Sequence, residues 1–200
     1  MKKIKILFCV LTSLLVLIIS SCDTPSSSSN AALQYGDVLE NGLGLSQSET
    51  VERYQIDESS VQKEDHDGEE LWTLSEPEEV MGQPATVSLI FEDDSLTRAS
   101  FVITIDNDPE LVWKTLTDIY KDMNDKLGDP SSHIDGQEPF GRYTDYETFS
   151  EVVDPGLNTG IYTETNNWEQ EDDINGPRAS LSLTMFDSGS STIEQSVYQP

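Results

Sequence analysis

The spacing of apolar residues divides the chain into one continuous run, one long helical stripe and two pairs of alternating segments. Val112, Leu116, Ile119, Met123 and Leu127 recur at steps of four, three, four and four, which aligns them along one side of an amphipathic helix. Trp113 and Tyr120 widen the stripe. Asp108 can cap this helix, and Pro109 suits its first position because the missing N–H would have no partner there. Gly128 and Pro130 end it. A shorter helix is predicted over residues 47–55, where Ser46-Gln47-Ser48-Glu49 fits a capping box and Val51 and Tyr54 share a face. The acidic stretch 57–70 has no apolar period and is expected to form a loop.

The alternating segments predict two hairpins, each with one buried face. In the first, Val87, Leu89 and Phe91 precede a turn at residues 92–95, after which Ala99, Phe101, Ile103 and Ile105 mark one face. In the second, Leu181, Leu183 and Met185 precede a turn at residues 187–190, followed by Ile193, Gln195 and Val197. The two match beyond their period. Trp72 stands 13 residues before Ala85, and Trp168 stands 11 before Ala179. Ala-Thr-Val-Ser-Leu at 85–89 parallels Ala-Ser-Leu-Ser-Leu at 179–183, and Ser100-Phe101 parallels Ser196-Val197. The expectation is an α+β fold of two helix-plus-three-strand antiparallel units, residues 36–105 and 106–200, forming one sheet with the helices on one face. The second unit carries an insertion at 131–160.

The continuous run, residues 6–19, follows Lys2, Lys3 and Lys5 and is interrupted only by Thr12 and Ser13. It falls short of the roughly 20 residues a membrane-spanning helix needs. A basic start, a short apolar stretch and small residues at its end read as an export signal over residues 1–21. Ile19-Ser20-Ser21-Cys22 resembles the lipobox of bacterial lipoproteins. The resemblance implies cleavage before Cys22, transfer of diacylglycerol to its sulfur, and an extracytoplasmic, lipid-anchored location on the cell membrane. Two acyl chains hold a protein to a bilayer where one does so only marginally. Residues 22–35, with four consecutive serines, are expected to be a flexible tether. Asp23 after the lipidated cysteine resembles an inner-membrane retention signal of proteobacteria.

Composition narrows the chemistry. With Cys9 leaving in the signal and Cys22 acylated, no thiol remains for a nucleophile, a thiolate metal site or a disulfide. The chain counts 11 basic and 38 acidic residues, a net charge of −27. Such a surface repels phosphate backbones, so nucleic acid is not a partner. His66 and His133 lie in expected loops, and no nucleophile elbow, zinc-binding helix motif or phosphate-cradling loop is present. No cofactor and no catalytic residue is therefore assigned, although abundant carboxylates leave an acid-pair hydrolase as an alternative. Asp65-His66-Asp67-Gly68-Glu69-Glu70 has the look of an oxygen-rich calcium loop. Placing Gly68 sixth in an EF-hand loop puts Lys63 first and Leu74 twelfth, where oxygen ligands are needed, so that reading fails. A small-ligand or cation-binding lipoprotein is a further alternative.

Tandem helix-plus-three-strand units, with Gly-Leu-Ser at 44–46 before the first helix and Lys-Leu-Gly-Asp-Pro at 126–130 closing the second, resemble the β-lactamase inhibitor protein fold. The small lipoprotein of the β-barrel assembly machinery is similar to one such unit. What the resemblance implies is a non-catalytic envelope domain that binds or modulates another exported protein. Trp72 and Trp168 are its candidate partner contacts, with helix–sheet packing as the alternative role.

Overall fold

The computed structural model describes residues 33–133, 162–168, 176–186 and 189–199. A single turn, α1 (Tyr35–Asp37), runs into a π turn (Val38–Gly42), followed by α2 (Gln47–Tyr54). Strands β1 (Val61–His66), β2 (Glu69–Leu74), β3 (Glu78–Val80), β4 (Gln83–Glu92) and β5 (Ser95–Asp106) follow. Next come α3 (Pro109–Leu127), β6 (Ser132–His133), β7 (Tyr162–Trp168), β8 (Arg178–Met185) and β9 (Ser190–Tyr198). The fold is α+β and mostly sheet. The strands pair in the order β1-β2-β4-β5-β9-β8-β7-β6, with β3 beside β4, and every pairing is antiparallel.

Local chemistry explains both expected helices. In α2, Ser46 Oγ accepts from Glu49 N–H while Ser46 N–H donates to the Glu49 carboxylate, which closes the capping box. In α3, Asp108 Oδ1 accepts from Leu111 N–H at 3.0 Å, and Val112, Leu116, Ile119 and Met123 are buried. The β4–β5 turn places Asp93 and Asp94 at φ of +49° and +63°, the left-handed pair that a two-residue hairpin needs. Just past it, Phe91 pairs with Leu96 but Ile90 pairs with Arg98, so Thr97 is an extra residue. That bulge rephases β5 and lets both Leu96 and Ala99 face the core.

Two expectations need correction. Residues 57–70 are not a loop: they hold a 3₁₀ turn at Glu58–Ser60, all of β1 and the start of β2. Asp67 and Gly68 are the left-handed residues of that tight turn, at φ of +54° and +96°. Asp-Gly is itself a hairpin signal, but β1 is an exposed edge strand with no apolar stripe to reveal it. His66 accordingly sits at the end of a strand and His133 on β6, where it pairs with Asn166. At the amino-terminal side, Leu33 is buried within the expected tether and Tyr35 beside it, so packing begins earlier than composition suggests. Most of the expected insertion at 131–160, and all of the signal and Cys22, lie outside the described residues.

One cluster forms the core. Val38 of the π turn, Tyr54 of α2 and the stripe of α3 pack on Val87, Leu89, Phe91, Phe101, Ile103, Leu181, Leu183, Ile193 and Val197. These strand residues all share one side of the sheet, so the described helices cover one face only.

Candidate functional site

Pairing register turns the strands into rows that run across the sheet. On the helix-covered face one row reads Trp72, Leu89, Ala99, Val197, Ala179, Trp168. The two tryptophans thus end a single row whose middle is built of smaller residues. Trp72 is fully buried, packs tilted against Phe91 with ring centres 4.7 Å apart, and donates its indole N–H to Glu70 at 2.8 Å. Lys63, its neighbour on β1, places its ammonium 3.8 Å from the ring centre. Trp168 is 4% exposed and donates to the Gly128 carbonyl at 2.8 Å, at the C-terminal end of α3. Both rings are packing residues, and a partner would have to displace a strand or helix to reach Trp72.

The shared row also separates the two sequence parallels noted above. Trp72 pairs with Leu89, four residues beyond Ala85, whereas Trp168 pairs with Ala179 itself. Superposing the tryptophans therefore shifts the alanine-led motifs out of register.

The opposite face is the surface that sequence reasoning did not single out. Its rows are dominated by hydroxyls. Thr73, Ser88, Ser100, Ser196 and Ser180 align in one, and Thr104, Thr192 and Thr184 in another. At the centre Ser100 Oγ and Ser196 Oγ lie 2.8 Å apart, and Ser196 also donates to Glu194. A third row runs Leu71, Ile90, Arg98, Tyr198, Arg178. The Arg98 guanidinium stands 5.4 Å from the centre of the Tyr198 ring. Two arginines on either side of a tyrosine, continuous with two aliphatic side chains, concentrate cationic and aromatic surface in a strongly acidic chain. The signal existed in sequence only as the residues between the buried ones. Pairing register was needed to bring them together.

Short charged links hold the helix layer in place. Asp37 accepts from Arg53 Nη2 at 2.8 Å and Nε at 3.1 Å, and from the Tyr54 hydroxyl at 2.8 Å. The Arg53 fork, partly opposed by burial and assisted by Tyr54, holds the Asp37 carboxyl below its usual range. Burial first, then the carboxylate beside it, raises the Tyr54 hydroxyl. Tyr35 repeats the arrangement: its hydroxyl donates to Asp122 at 2.7 Å, joining α1 to α3, and burial again leads the causes that raise it. Glu70 is held low by the Trp72 indole N–H and then by Gln47. Burial and structural partners account for each of these perturbations.

Between α1, the end of α3 and the start of β8 lies a cleft of about 680 Å³. Tyr35, Leu39, Leu127, Trp168 and Ala179 line it, with Glu40, Lys126 and Asp129 among its polar groups. Among the described residues, no group of three or more histidine, cysteine, aspartate or glutamate side chains is placed to hold a metal ion. No described helix is long and apolar enough to cross a membrane. The sequence matches no family model, and neither a curated protein nor a solved structure matches it.

Proposed function

We propose that the protein is a lipid-anchored envelope lipoprotein whose non-catalytic domain binds another exported protein through the sheet face that no described helix covers. The anchor reading rests on the basic start, the apolar run at 6–19 and the small residues before Cys22. Serines 26–29 then supply slack between bilayer and domain. The observation that carries the binding reading is the row Leu71, Ile90, Arg98, Tyr198, Arg178 on a face that no described helix covers. Arginine and tyrosine are the side chains that most often dominate protein interfaces. Their positive charge, set in a chain of net −27, selects a partner segment that presents carboxylates at this row.

The domain is read as two helix-plus-three-strand units, residues 36–105 and 106–200, in the manner of the β-lactamase inhibitor protein fold, with β2, β4, β5 and β7, β8, β9 as the three strands of each and β1, β3 and β6 as additions to them. Two features support that reading. Strand order is mirrored about the β5–β9 seam, with β4, β2 and β1 on one side and β8, β7 and β6 on the other. The tryptophans of β2 and β7 also occupy the two ends of one row.

A photo-reactive phenylalanine at Thr86, an exposed open-face position, compared with one at Lys121 on α3, tests the partner reading in intact envelopes. The expected result is one exported protein cross-linked from Thr86, absent from Lys121, and lost when Arg98→Glu is added. Equal adducts from both positions, or an adduct insensitive to Arg98→Glu, would refute the open-face reading.

A further inference from the structure

The cleft beside Trp168 has a chemistry of its own, independent of the open face. Its volume of about 680 Å³ lies within the range of small-molecule sites. Tyr35 and Trp168 give it aromatic walls, and Leu39, Leu127, Pro177 and Ala179 give it aliphatic ones. Both rings are fixed from behind. The Tyr35 hydroxyl is tied to Asp122 at 2.7 Å, and the Trp168 indole N–H to Gly128 and Asn124. Tyr120 packs against Trp168 with ring centres 5.9 Å apart. The walls are thus held in place without a ligand, the property that keeps ordering costs low on binding.

Charge then selects the ligand. Glu40 and Asp129 are exposed carboxylates of the cleft. The one cation among the described lining residues, Lys126, is already engaged: its ammonium is 2.8 Å from Asp122 and 4.8 Å from the centre of the Tyr35 ring. An aromatic face with an ammonium over it and a carboxylate beside it is the arrangement by which proteins hold organic cations. Lys126 occupies part of that position from within the chain. The remaining carboxylates and the strongly negative molecule disfavour anions.

We infer that this cleft is a binding site for a small organic cation, an ammonium group carried on an apolar or aromatic body. The apolar body lies against Leu39, Leu127 and Trp168, and the ammonium lies toward Glu40 and Asp129. Lys126 acts as a resident competitor for the Tyr35 face.

The experiment uses the whole domain with 2-phenylethylamine as probe and 3-phenylpropionate as its anionic counterpart, read by thermal stabilisation and by chemical-shift titration. Saturable binding of the amine alone is expected. Glu40→Gln with Asp129→Asn, both at exposed positions, should weaken it about tenfold, the factor that 1.4 kcal/mol represents. Lys126→Met should tighten amine binding several-fold by freeing the ring of Tyr35. Equal binding of the two probes, indifference to the Glu40/Asp129 pair, or weaker amine binding in Lys126→Met would each overturn the assignment. So would a saturating titration that moves no resonance of Tyr35, Leu127 or Trp168.

Discussion

Gln195 stands in the middle of the helix-covered face, where β9 passes between Phe101 on β5 and Leu181 on β8. It is 2% exposed, and its Oε1 has no hydrogen-bond partner among the described residues. An unpaired buried acceptor costs about 1–3 kcal/mol relative to the same group in water. Methionine has nearly the shape of glutamine without the amide oxygen, so Gln195→Met removes that cost while keeping the volume between Phe101 and Leu181. The expected gain is about 1 kcal/mol, at the low end because shape and rotamer are imperfectly matched. In a domain of this size, that corresponds to a rise of roughly 2–4 °C in Tm. Urea unfolding is the assay, with an unchanged m-value as the sign that native and unfolded states keep their exposure. Gln195→Glu supplies the opposite control: a carboxylate at the same site should destabilise at neutral pH and recover as the medium is acidified. If Gln195→Met lost 1 kcal/mol or more, the claim that its oxygen lacks a partner would be wrong.

Other consequences follow from the links between layers. Asp37→Asn should lower stability by about 1 kcal/mol at neutral pH, since the Arg53 pair is partly exposed and the Tyr54 bond is only part-buried. Because the folded carboxyl is held below the ordinary aspartate value of about 3.9, its contribution is complete above that value and fades as pH falls from there through the folded value. The difference between wild type and Asp37→Asn, followed by denaturation at successive pH values, should therefore shrink below about pH 4; a constant gap would refute the ionic assignment. Trp168→Phe removes the donor to the Gly128 carbonyl and should cost about 1–2 kcal/mol, read by urea unfolding. Ser46→Ala opens the capping box of α2 and should cost about 1 kcal/mol, with hydrogen exchange accelerating at the first amides of that helix.

How much of this was legible in the sequence differs from element to element. The ends of α2 and α3 could be read because Ser46, Asp108 and Gly128 act on neighbours three or four residues away. The two hairpins could be read because each has one dry face, which imposes alternation. β1 could not, since both of its faces are wet and only Asp67-Gly68 marks the turn. The turn at residues 35–42 could not either: distant partners tie it down, Tyr35 to Asp122 and Asp37 to Arg53 and Tyr54. Simple alternation puts Leu96 out of phase with Ala99, and the extra residue at Thr97 that brings both to the core is visible only in the pairing.

The candidate surface was the least legible part. Arg98, Tyr198 and Arg178 are 80 or more residues apart in part, and only the register of β5, β9 and β8 aligns them. The tryptophans stand out in the sequence by their matching places before the two hairpins, yet their size is what buries them at the two ends of a row of smaller side chains. Chemical prominence in a sequence is a poor guide to exposure when the residue is large and apolar.

Anchoring is the claim on which the rest of the account depends, and the terminal fragment of the protein recovered from cell membranes tests it most directly. Mass spectrometry should find that fragment starting at Cys22, with a diacylglyceryl group on its sulfur. A fragment that retains Met1, or one with an unmodified thiol at position 22, would contradict the account.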